Sequence, residues 1–370
     1  MKVLLVNQYA TDNLGDKLIG KVLKDILEQE YHCIVECKKF ELFYPERTLL
    51  QGIEEKSKLK KERKVTYIKN VVIEKIECYS IRRNRIFYIL KNNISLEEID
   101  MVIIGGGELI KSNHIFILYL DVWTKLVKKM GKSKLILFGV SSDCNFTIKE
   151  KQQLRKILPR FDYINVRDKN SKKILAKISN LKIVYSPDIV FAYQKYNKLE
   201  YKKGNRIQVS IFDYKSYDFS TIFSNIEEYF IFWYQIIVES AKGDLEKVEF
   251  FYTTPEDAIC TKEFCQKYNK QFGKRIPKDF YYNEEQIIRK LAEADIVITG
   301  RMHAMIIALQ YGAKIIPFEF KEKIRFFAKE WKEKRYSDET AWEVVDGVRK
   351  MFDQVKGMEQ KEEEFNEGKK

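Results

Sequence analysis

The stretch ADIVITGRMHAMIIALQYGAKIIPFEFKEK, residues 294–323, carries the clearest structural pattern in the chain. It begins with the short apolar run Ile296–Thr299, continues into a helical pattern over Met302–Tyr311, and returns to apolar residues over Lys314–Glu319. Short continuous apolar runs are typical of strands that are buried on both faces of a parallel sheet. The stretch therefore predicts a strand, a helix and a second strand joined as one β-α-β unit.

The same alternation of apolar runs and helical patterns fills the chain before this unit. The predicted strands form two series, Lys2–Asn7, Met101–Ile104, Lys134–Gly139, Tyr163–Val166 and Ile183–Tyr185, then Ile207–Phe212 and Val248–Thr253. The polar stretch Lys195–Asn205 separates the two series. One domain typically takes about 100–200 residues, so 370 residues fit two domains. We expect an α/β protein with domains at 1–197 and 205–325, followed by C-terminal helices and a charged tail at 326–370.

Positive charge is in excess and unevenly distributed. The chain has 67 Lys and Arg against 54 Asp and Glu, a formal net charge of +13. Residues 51–95 form a basic insertion with 12 Lys and Arg and 5 Asp and Glu. Such an excess favours acidic partners, whether nucleic acid, an anionic membrane surface or small phosphate- or carboxylate-bearing molecules, although a solvated face explains the basic run equally well. No nucleic-acid-binding signature is present, so we expect no nucleic-acid partner.

The cysteines and histidines do not have the spacing of a metal site. The six Cys include no CxxC pair and the three His are scattered, whereas zinc sites use paired ligands at short spacing. We expect no metal site, and reduced cysteines in a cytoplasmic protein. The N-terminal apolar run is too short for a signal peptide. The apolar run Tyr229–Val238 is also too short to span a membrane, which takes about 20 residues. Peripheral contact with the inner face of the membrane stays open.

Two candidate loops follow the first strands of the predicted sheet. Ligands of open α/β sheets bind outside the carboxyl ends of the strands, so these loops come first. In Asn13–Asp16, Gly15 permits a tight turn and Asp16 suits a helix cap, so a plain capped helix is the alternative reading. In Gly105–Gly107, followed by Glu108, consecutive glycines let backbone N–H groups approach a ligand, often an anion.

Two further loops contain arginine and histidine. Arg167 ends a predicted strand, Asp168 opens a helix, and Asp188 follows the next strand. Arginine suits bidentate capture of carboxylate or phosphate, although Asp168 is equally a helix cap and Asp188 a turn residue. In the fourth loop Arg301 and His303 lie at a predicted helix N-terminus, which favours an anion. His303 can exchange a proton near neutral pH, although a lone histidine is more often bonded to a nearby carbonyl.

With these loops identified, the chain resembles the polysaccharide pyruvyl transferase family. The resemblance rests on TDNLGDKLI (11–19), DMVIIGGGELI (100–110), NVRDKNSKKIL (165–175), SPDIVF (186–191) and the opening stretch 294–323. These stretches follow the family's order, and the last is the most specific because strand, Arg-x-His-Ala, helix and strand run together without a gap.

The resemblance implies a GT-B-type arrangement, in which two Rossmann-like domains face each other across a cleft and a C-terminal helix often crosses back. The implied activity transfers pyruvate from phosphoenolpyruvate to two hydroxyls of a sugar in a cell-surface or exopolysaccharide precursor. It forms a cyclic ketal and releases phosphate. His303 is implied as the general acid/base beside Arg301, and Arg301 and Arg167 as anion-binding residues. The other implied substrate-binding residues are Asn13, Gly15, Asp16, Gly105, Gly106, Gly107, Glu108, Asp168, Asp188 and Lys323.

The implied reaction defines the expected partners. Phosphoenolpyruvate is the donor substrate, and the implied mechanism needs no cofactor and no metal. The acceptor is a sugar, and a lipid-diphosphate-linked sugar at the inner face of the membrane would suit the basic insertion 51–95.

Two departures from the family pattern keep an alternative open. Where the family often has a loop of the form GQGxGP, this chain reads GVSSDC over 139–144, and the usual Ser before Arg-x-His is Gly300. These changes leave the exact acceptor open. The alternative is a GT-B nucleotide-sugar glycosyltransferase of polysaccharide biosynthesis, in which Glu319 at a strand end would hold the ribose.

Overall fold

The structure is a computed structural model that describes residues 1–41, 79–275, 282–333 and 336–367. Most of the basic insertion, residues 51–78, lies outside the described residues. The described strands form two parallel sheets. The first contains Lys2–Asn7 (β1), Ile34–Lys39 (β2), Met101–Ile110 (β3), Lys134–Ser142 (β4), Tyr163–Val166 (β5) and Val184–Tyr185 (β6). The second contains Ile207–Ser210 (β7), Val248–Phe250 (β8), Ile296–Thr299 (β9) and Lys314–Pro317 (β10).

Helices connect the strands and lie against the sheets. The first sheet carries Leu14–Tyr31, Tyr79–Asn93, His114–Met130, Ile148–Ile157 and Lys169–Ser179, and the single turn Tyr193–Tyr196 leads away from it. The second sheet carries Ile226–Ala241, Pro255–Lys267, Asn269–Phe272, Glu284–Glu293 and Met302–Gln310. Two more helices follow the last strand, Glu322–Trp331 and Asp338–Glu367. The predicted α/β fold class with two Rossmann-like units and a helical C-terminal extension is confirmed.

The first sheet has an apolar core on each of its two sides. Leu4 and Val6 of β1 face a core formed with the helices on one side of that sheet. Val3 and Leu5 face the other side, where the apolar core continues through the helix Leu14–Tyr31 into the second sheet. Because successive strand residues point to opposite faces, one strand contributes to both cores. A continuous apolar core therefore joins the two sheets.

The C-terminal helix Asp338–Glu367 returns to the first sheet. The ring of Phe352 stacks on Tyr31 with 4.2 Å between centroids. Gly347 lies so close to Ser186 that a Cβ at Gly347 would stand 2.7 Å from the Cβ of Ser186. The last helix therefore packs on the N-terminal unit although the chain reaches it from the second sheet.

The strand order sets where a ligand can bind. The first sheet has the order β2-β1-β3-β4-β5-β6 and the second has β10-β9-β7-β8. The direction of chain progression reverses between β1 and β3 in the first sheet and between β7 and β9 in the second. Such reversals open a crevice outside the carboxyl ends of the strands, where ligands of these folds bind.

Several predicted boundaries differ from the structure by two or three residues, and two differ by five or more. The strand predicted over Met101–Ile104 continues through the three glycines to Ile110, pairing with β4. The helix predicted from Thr221 begins at Ile226, because the side chain of Asn225 caps it by accepting a hydrogen bond from the Glu228 N–H. Among the described residues, no helix has the length and apolar character that a membrane crossing requires.

Candidate active site

The two crevices meet in one pocket between the sheets. Contacts across the junction include the Leu14 N–H donating to the Thr253 carbonyl at 3.0 Å and the Lys17–Glu284 ion pair at 2.5 Å. The pocket encloses about 120 Å³. Both domains line it, and the lining side chains with charge or hydrogen-bonding capacity include Asn13, Asp16, Glu108, Lys111, Arg167, Arg301, His303, Lys321 and Lys323. Seven of the predicted polar site residues are therefore brought together here, with two lysines, Lys111 and Lys321, that nothing in the sequence singled out.

His303 lies between the domains, in the first turn of the helix Met302–Gln310. Its Nε2 is 3.2 Å from Arg167 Nη1 and 3.5 Å from Asp188 Oδ2. Arg167 and Asp188 are buried and form an ion pair in which Nη1 donates to Oδ2 at 2.8 Å. Burial raises the pKa of Asp188, but Arg167 and His303 outweigh it and hold that pKa well below its usual range. A charged carboxylate therefore lies behind the histidine, outside the pocket lining.

Gly15 makes room for His303. A Cβ built on Gly15 would stand 2.1 Å from His303 Nδ1, a distance that no side chain permits. Gly15 lies inside the helix Leu14–Tyr31 rather than in a turn. The prediction of a tight turn was wrong, and the glycine serves the close approach of the imidazole from the other domain.

Arg301 is fixed by a buried carboxylate. Its Nε donates to Asp257 Oδ2 and its Nη2 to Asp257 Oδ1, each at 2.7 Å. The guanidinium lies over the Phe212 ring, 4.3 Å from the centroid. Asp257 is fully buried. Such a bidentate pair fixes the plane of the guanidinium at the pocket wall.

The lysines of the pocket differ in their partners. Lys323 forms an ion pair with Glu108 across the domain junction. Burial raises the pKa of Glu108, but Lys323, Arg167 and Lys111 outweigh it and hold that pKa well below its usual range. Lys111 and Lys321 make no ion pair with any residue that the structure describes.

Lys321 is surrounded by other positively charged side chains. Its ammonium is 5.3 Å from the centroid of the Tyr217 ring. Burial lowers the pKa of Lys321, and the neighbouring cations Lys323, Arg301 and Lys111 lower it further. An anion in the pocket would relieve this repulsion.

Asp16 faces the pocket from the first turn of the helix Leu14–Tyr31. The cap of this helix is Asn13, whose side chain accepts a hydrogen bond from the Gly15 N–H, so the assignment of the cap to Asp16 was wrong. The carboxylate accepts a long hydrogen bond from Thr11 Oγ1, 3.5 Å from Oδ2. Burial raises the pKa of Asp16, against the lowering effect of His303 and of nearby cations.

The three glycines of β3 pack against a helix rather than form an anion-binding turn. Gly106 has φ of +79°, and a Cβ there would stand 1.8 Å from Ile19 Cγ2. Gly105 and Gly106 lie outside the pocket lining, whereas Gly107 lines it close to Asp16. The first two glycines therefore allow the helix Leu14–Tyr31 to approach the sheet.

Two further predicted residues lie away from the pocket. Asp168 caps the helix Lys169–Ser179, accepting from the Ser171 N–H at 2.7 Å and from Ser171 Oγ at 2.6 Å. Glu319 lies 4.0 Å from Lys332 on the surface and does not line the pocket. Among the described residues no cluster of three His, Cys, Asp or Glu could hold a metal ion.

The chain is similar in fold to solved sugar-nucleotide enzymes. A putative UDP-N-acetylglucosamine 2-epimerase from Listeria monocytogenes aligns with 12% identity over 97% of this chain and 89% of its own, with a TM-score of 0.51. A UDP-GlcNAc 2-epimerase from Neisseria meningitidis, solved with UDP-GlcNAc, aligns with 10% identity over 95% and 92% of the two chains, also with a TM-score of 0.51. At such identities the similarity shows the fold alone, which is of the GT-B type.

Sequence comparison gives a more specific result. No curated protein matches the chain. The family model for polysaccharide pyruvyl transferase matches residues 13–321, which include both sheets from the end of β1 onward and every pocket residue discussed above except Lys323. The chain belongs to the polysaccharide pyruvyl transferase family.

Proposed function

We propose that the protein transfers pyruvate from phosphoenolpyruvate to two hydroxyls of a sugar in a cell-surface or exopolysaccharide precursor. The observation that supports this most is the pocket between the two crevices, where His303 stands among more cations than carboxylates. Phosphoenolpyruvate carries both a phosphate and a carboxylate. A ligand with two anionic groups suits a pocket whose cations repel one another in its absence.

The donor would be held by the cations that have no carboxylate partner among the described residues. Lys111 and Lys321 make no ion pair with any described residue, so their charge is available to a ligand. Arg301 adds a fixed guanidinium at the wall, and the N-terminus of the helix Met302–Gln310 adds partial positive charge. Together these groups would neutralise the phosphate and the carboxylate of the donor.

The reaction needs two hydroxyl deprotonations and two proton deliveries. A proton adds to the methylene carbon of phosphoenolpyruvate, and an acceptor hydroxyl attacks the central carbon and loses its proton to a base. The second hydroxyl then bonds to the same carbon, whose bond to the phosphate oxygen breaks, and its proton leaves with the phosphate. His303 would carry these protons in turn, and this mechanism uses no metal or cofactor.

The acceptor would bind on the side of the pocket formed by the first domain. Asp16 and Glu108 present carboxylate oxygens there, and Asn13 and Gly107 complete that wall. Carboxylates accept hydrogen bonds from sugar hydroxyls. A lipid-diphosphate-linked acceptor would bring the protein to the inner face of the membrane, with the basic insertion 51–95 towards the anionic lipid. Flotation with anionic liposomes, compared with a chain whose basic insertion is neutralised, tests this location.

Phosphate release tests the activity. The protein is incubated with phosphoenolpyruvate and a panel of p-nitrophenyl glycosides, and products are examined for a mass gain of one pyruvate less one water. His303→Gln should lower the rate by about 10²–10⁴-fold, the usual contribution of one general acid/base. His114→Gln, which changes an exposed histidine outside the pocket, is the matched control. Retained transfer by folded His303→Gln would contradict the proposed role, and transfer from a nucleotide sugar instead would favour a glycosyltransferase.

A further inference from the structure

We infer that Arg167 and Asp188 are a positioning pair for His303: Arg167 holds the neutral imidazole with its proton on Nδ1, and Asp188 receives the Nε2–H once the ring is protonated. The inference deepens the proposed function, because it names the nitrogen through which His303 exchanges protons. It also stands apart from it, since the tautomer of a histidine exists whether or not phosphoenolpyruvate is the donor.

The contact with Arg167 fixes which nitrogen carries the lone pair. A guanidinium has donors and no acceptor, so an Arg167 Nη1 that lies 3.2 Å from His303 Nε2 can only donate to it. A neutral imidazole that accepts at Nε2 carries its hydrogen on Nδ1. Arg167 cannot easily turn away, because it is only 7% exposed and also donates to Asp188 at 2.8 Å and to Ser141 at 3.0 Å.

The carboxylate of Asp188 suits the protonated form of the His303 imidazole. A carboxylate only accepts, and Asp188 Oδ2 lies 3.5 Å from the same Nε2. When the ring gains a proton, the contact with Arg167 becomes repulsive, and a shift of about 0.5 Å brings the new N–H within hydrogen-bond distance of Asp188. The same nitrogen therefore has a fitting partner in each state.

The surroundings of Nδ1 make Nε2 the exchanging atom. Nδ1 lies against the Cα of Gly15, where even a methyl group has no room. Asp16, one residue from Gly15, is a further charged group that interacts with the ring electrostatically. Nε2, which has two polar partners and room to move between them, is thus the nitrogen through which the ring gains and loses its proton.

Nitrogen-15 NMR of the histidine rings tests the inference on the whole protein without any ligand. The chain has only three histidines, His32, His114 and His303, so His303→Gln identifies the signals of interest. The expected spectrum above neutral pH shows His303 with the proton on Nδ1. A neutral His303 with its proton on Nε2 in the unaltered protein would overturn the inference outright.

Variants of Arg167 and Asp188 test whether this pair, rather than another contact of the ring, sets the tautomer of His303. Arg167→Met removes the donor, and the proton of the neutral ring should move to Nε2 and bond to Asp188. Arg167→Lys keeps a donor and should keep the proton on Nδ1. If Arg167→Met does not fold because Asp188 is left unpaired, Arg167→Met combined with Asp188→Leu removes both buried charges without adding a donor and should also lose the Nδ1–H preference. An unchanged tautomer in a folded variant without Arg167 would contradict the assignment.

Discussion

Replacing Gly15 by alanine should create a steric clash between the two domains and lower the free energy of unfolding. The Cβ of Gly15→Ala would stand 2.1 Å from His303 Nδ1, so roughly 1.3 Å of movement is needed to reach ordinary van der Waals contact. Overpacking of this kind costs about 1–3 kcal/mol. Replacing a helical glycine by alanine gains as much as about 1 kcal/mol, so the net effect is a loss of stability.

Removing the imidazole of His303 should reverse the sign of the effect of Gly15→Ala on stability. In a His303→Ala background the space beside Gly15 is empty, and Gly15→Ala should then stabilise the protein by as much as about 1 kcal/mol. The interaction free energy between the two positions is thus expected at about 1–3 kcal/mol. Urea denaturation of the four proteins of this cycle, followed by tryptophan fluorescence, measures it.

The control is the same substitution at another helical glycine. Gly357 lies in the helix Asp338–Glu367, and a Cβ there meets nothing within 4 Å. Gly357→Ala should have the same effect with and without His303. If Gly15→Ala has the same effect with and without His303, the placement of His303 against Gly15 is refuted, and with it the pocket between the two domains.

Three other substitutions test the supports of the site. Gly106→Ala should destabilise by at least about 2–5 kcal/mol in urea denaturation, because it combines a left-handed backbone with a clash against Ile19. Asp257→Asn should destabilise by about 3–5 kcal/mol, since it removes the carboxylate that neutralises the guanidinium of Arg301, and a change below 1 kcal/mol would contradict that pairing. The pKa of Glu108 is lowered in the folded protein, although burial opposes this, so the stability it contributes is present above its unfolded pKa and lost on acidification. Between about pH 6 and 3, Glu108→Gln should therefore lose less stability than the unaltered protein, and equal losses would refute the bridge.

The fold was largely predictable from alternation in the sequence, and its exceptions have a common cause. Consecutive glycines were expected to end β3, because glycine has little intrinsic preference for a strand. The strand continues through Gly106 because a long-range contact, the approach of Ile19, requires the missing side chain. Such long-range packing requirements are not visible in the local sequence pattern.

The site was predictable where a residue type is rare and unpredictable where it is common. His303 is one of three histidines, and its position after a strand and beside Arg301 is distinctive. Lys111 and Lys321 are among 67 lysines and arginines, so nothing in the sequence separates them from surface residues. Asp257 reads as an ordinary acidic residue in the first turn of a helix, and only the fold brings it to 2.7 Å from Arg301.

Ligand-dependent stabilisation tests the proposed donor most directly. Thermal unfolding is followed with phosphoenolpyruvate, UDP, GDP and CMP for the unaltered protein, Lys321→Gln and the matched control Lys332→Gln, which changes an exposed lysine outside the pocket. Phosphoenolpyruvate at 100 times its Kd should stabilise the unaltered protein and the control by about 2.7 kcal/mol. The same concentration should stabilise Lys321→Gln distinctly less. Stabilisation by a nucleotide, with none by phosphoenolpyruvate, would contradict the assignment of the donor.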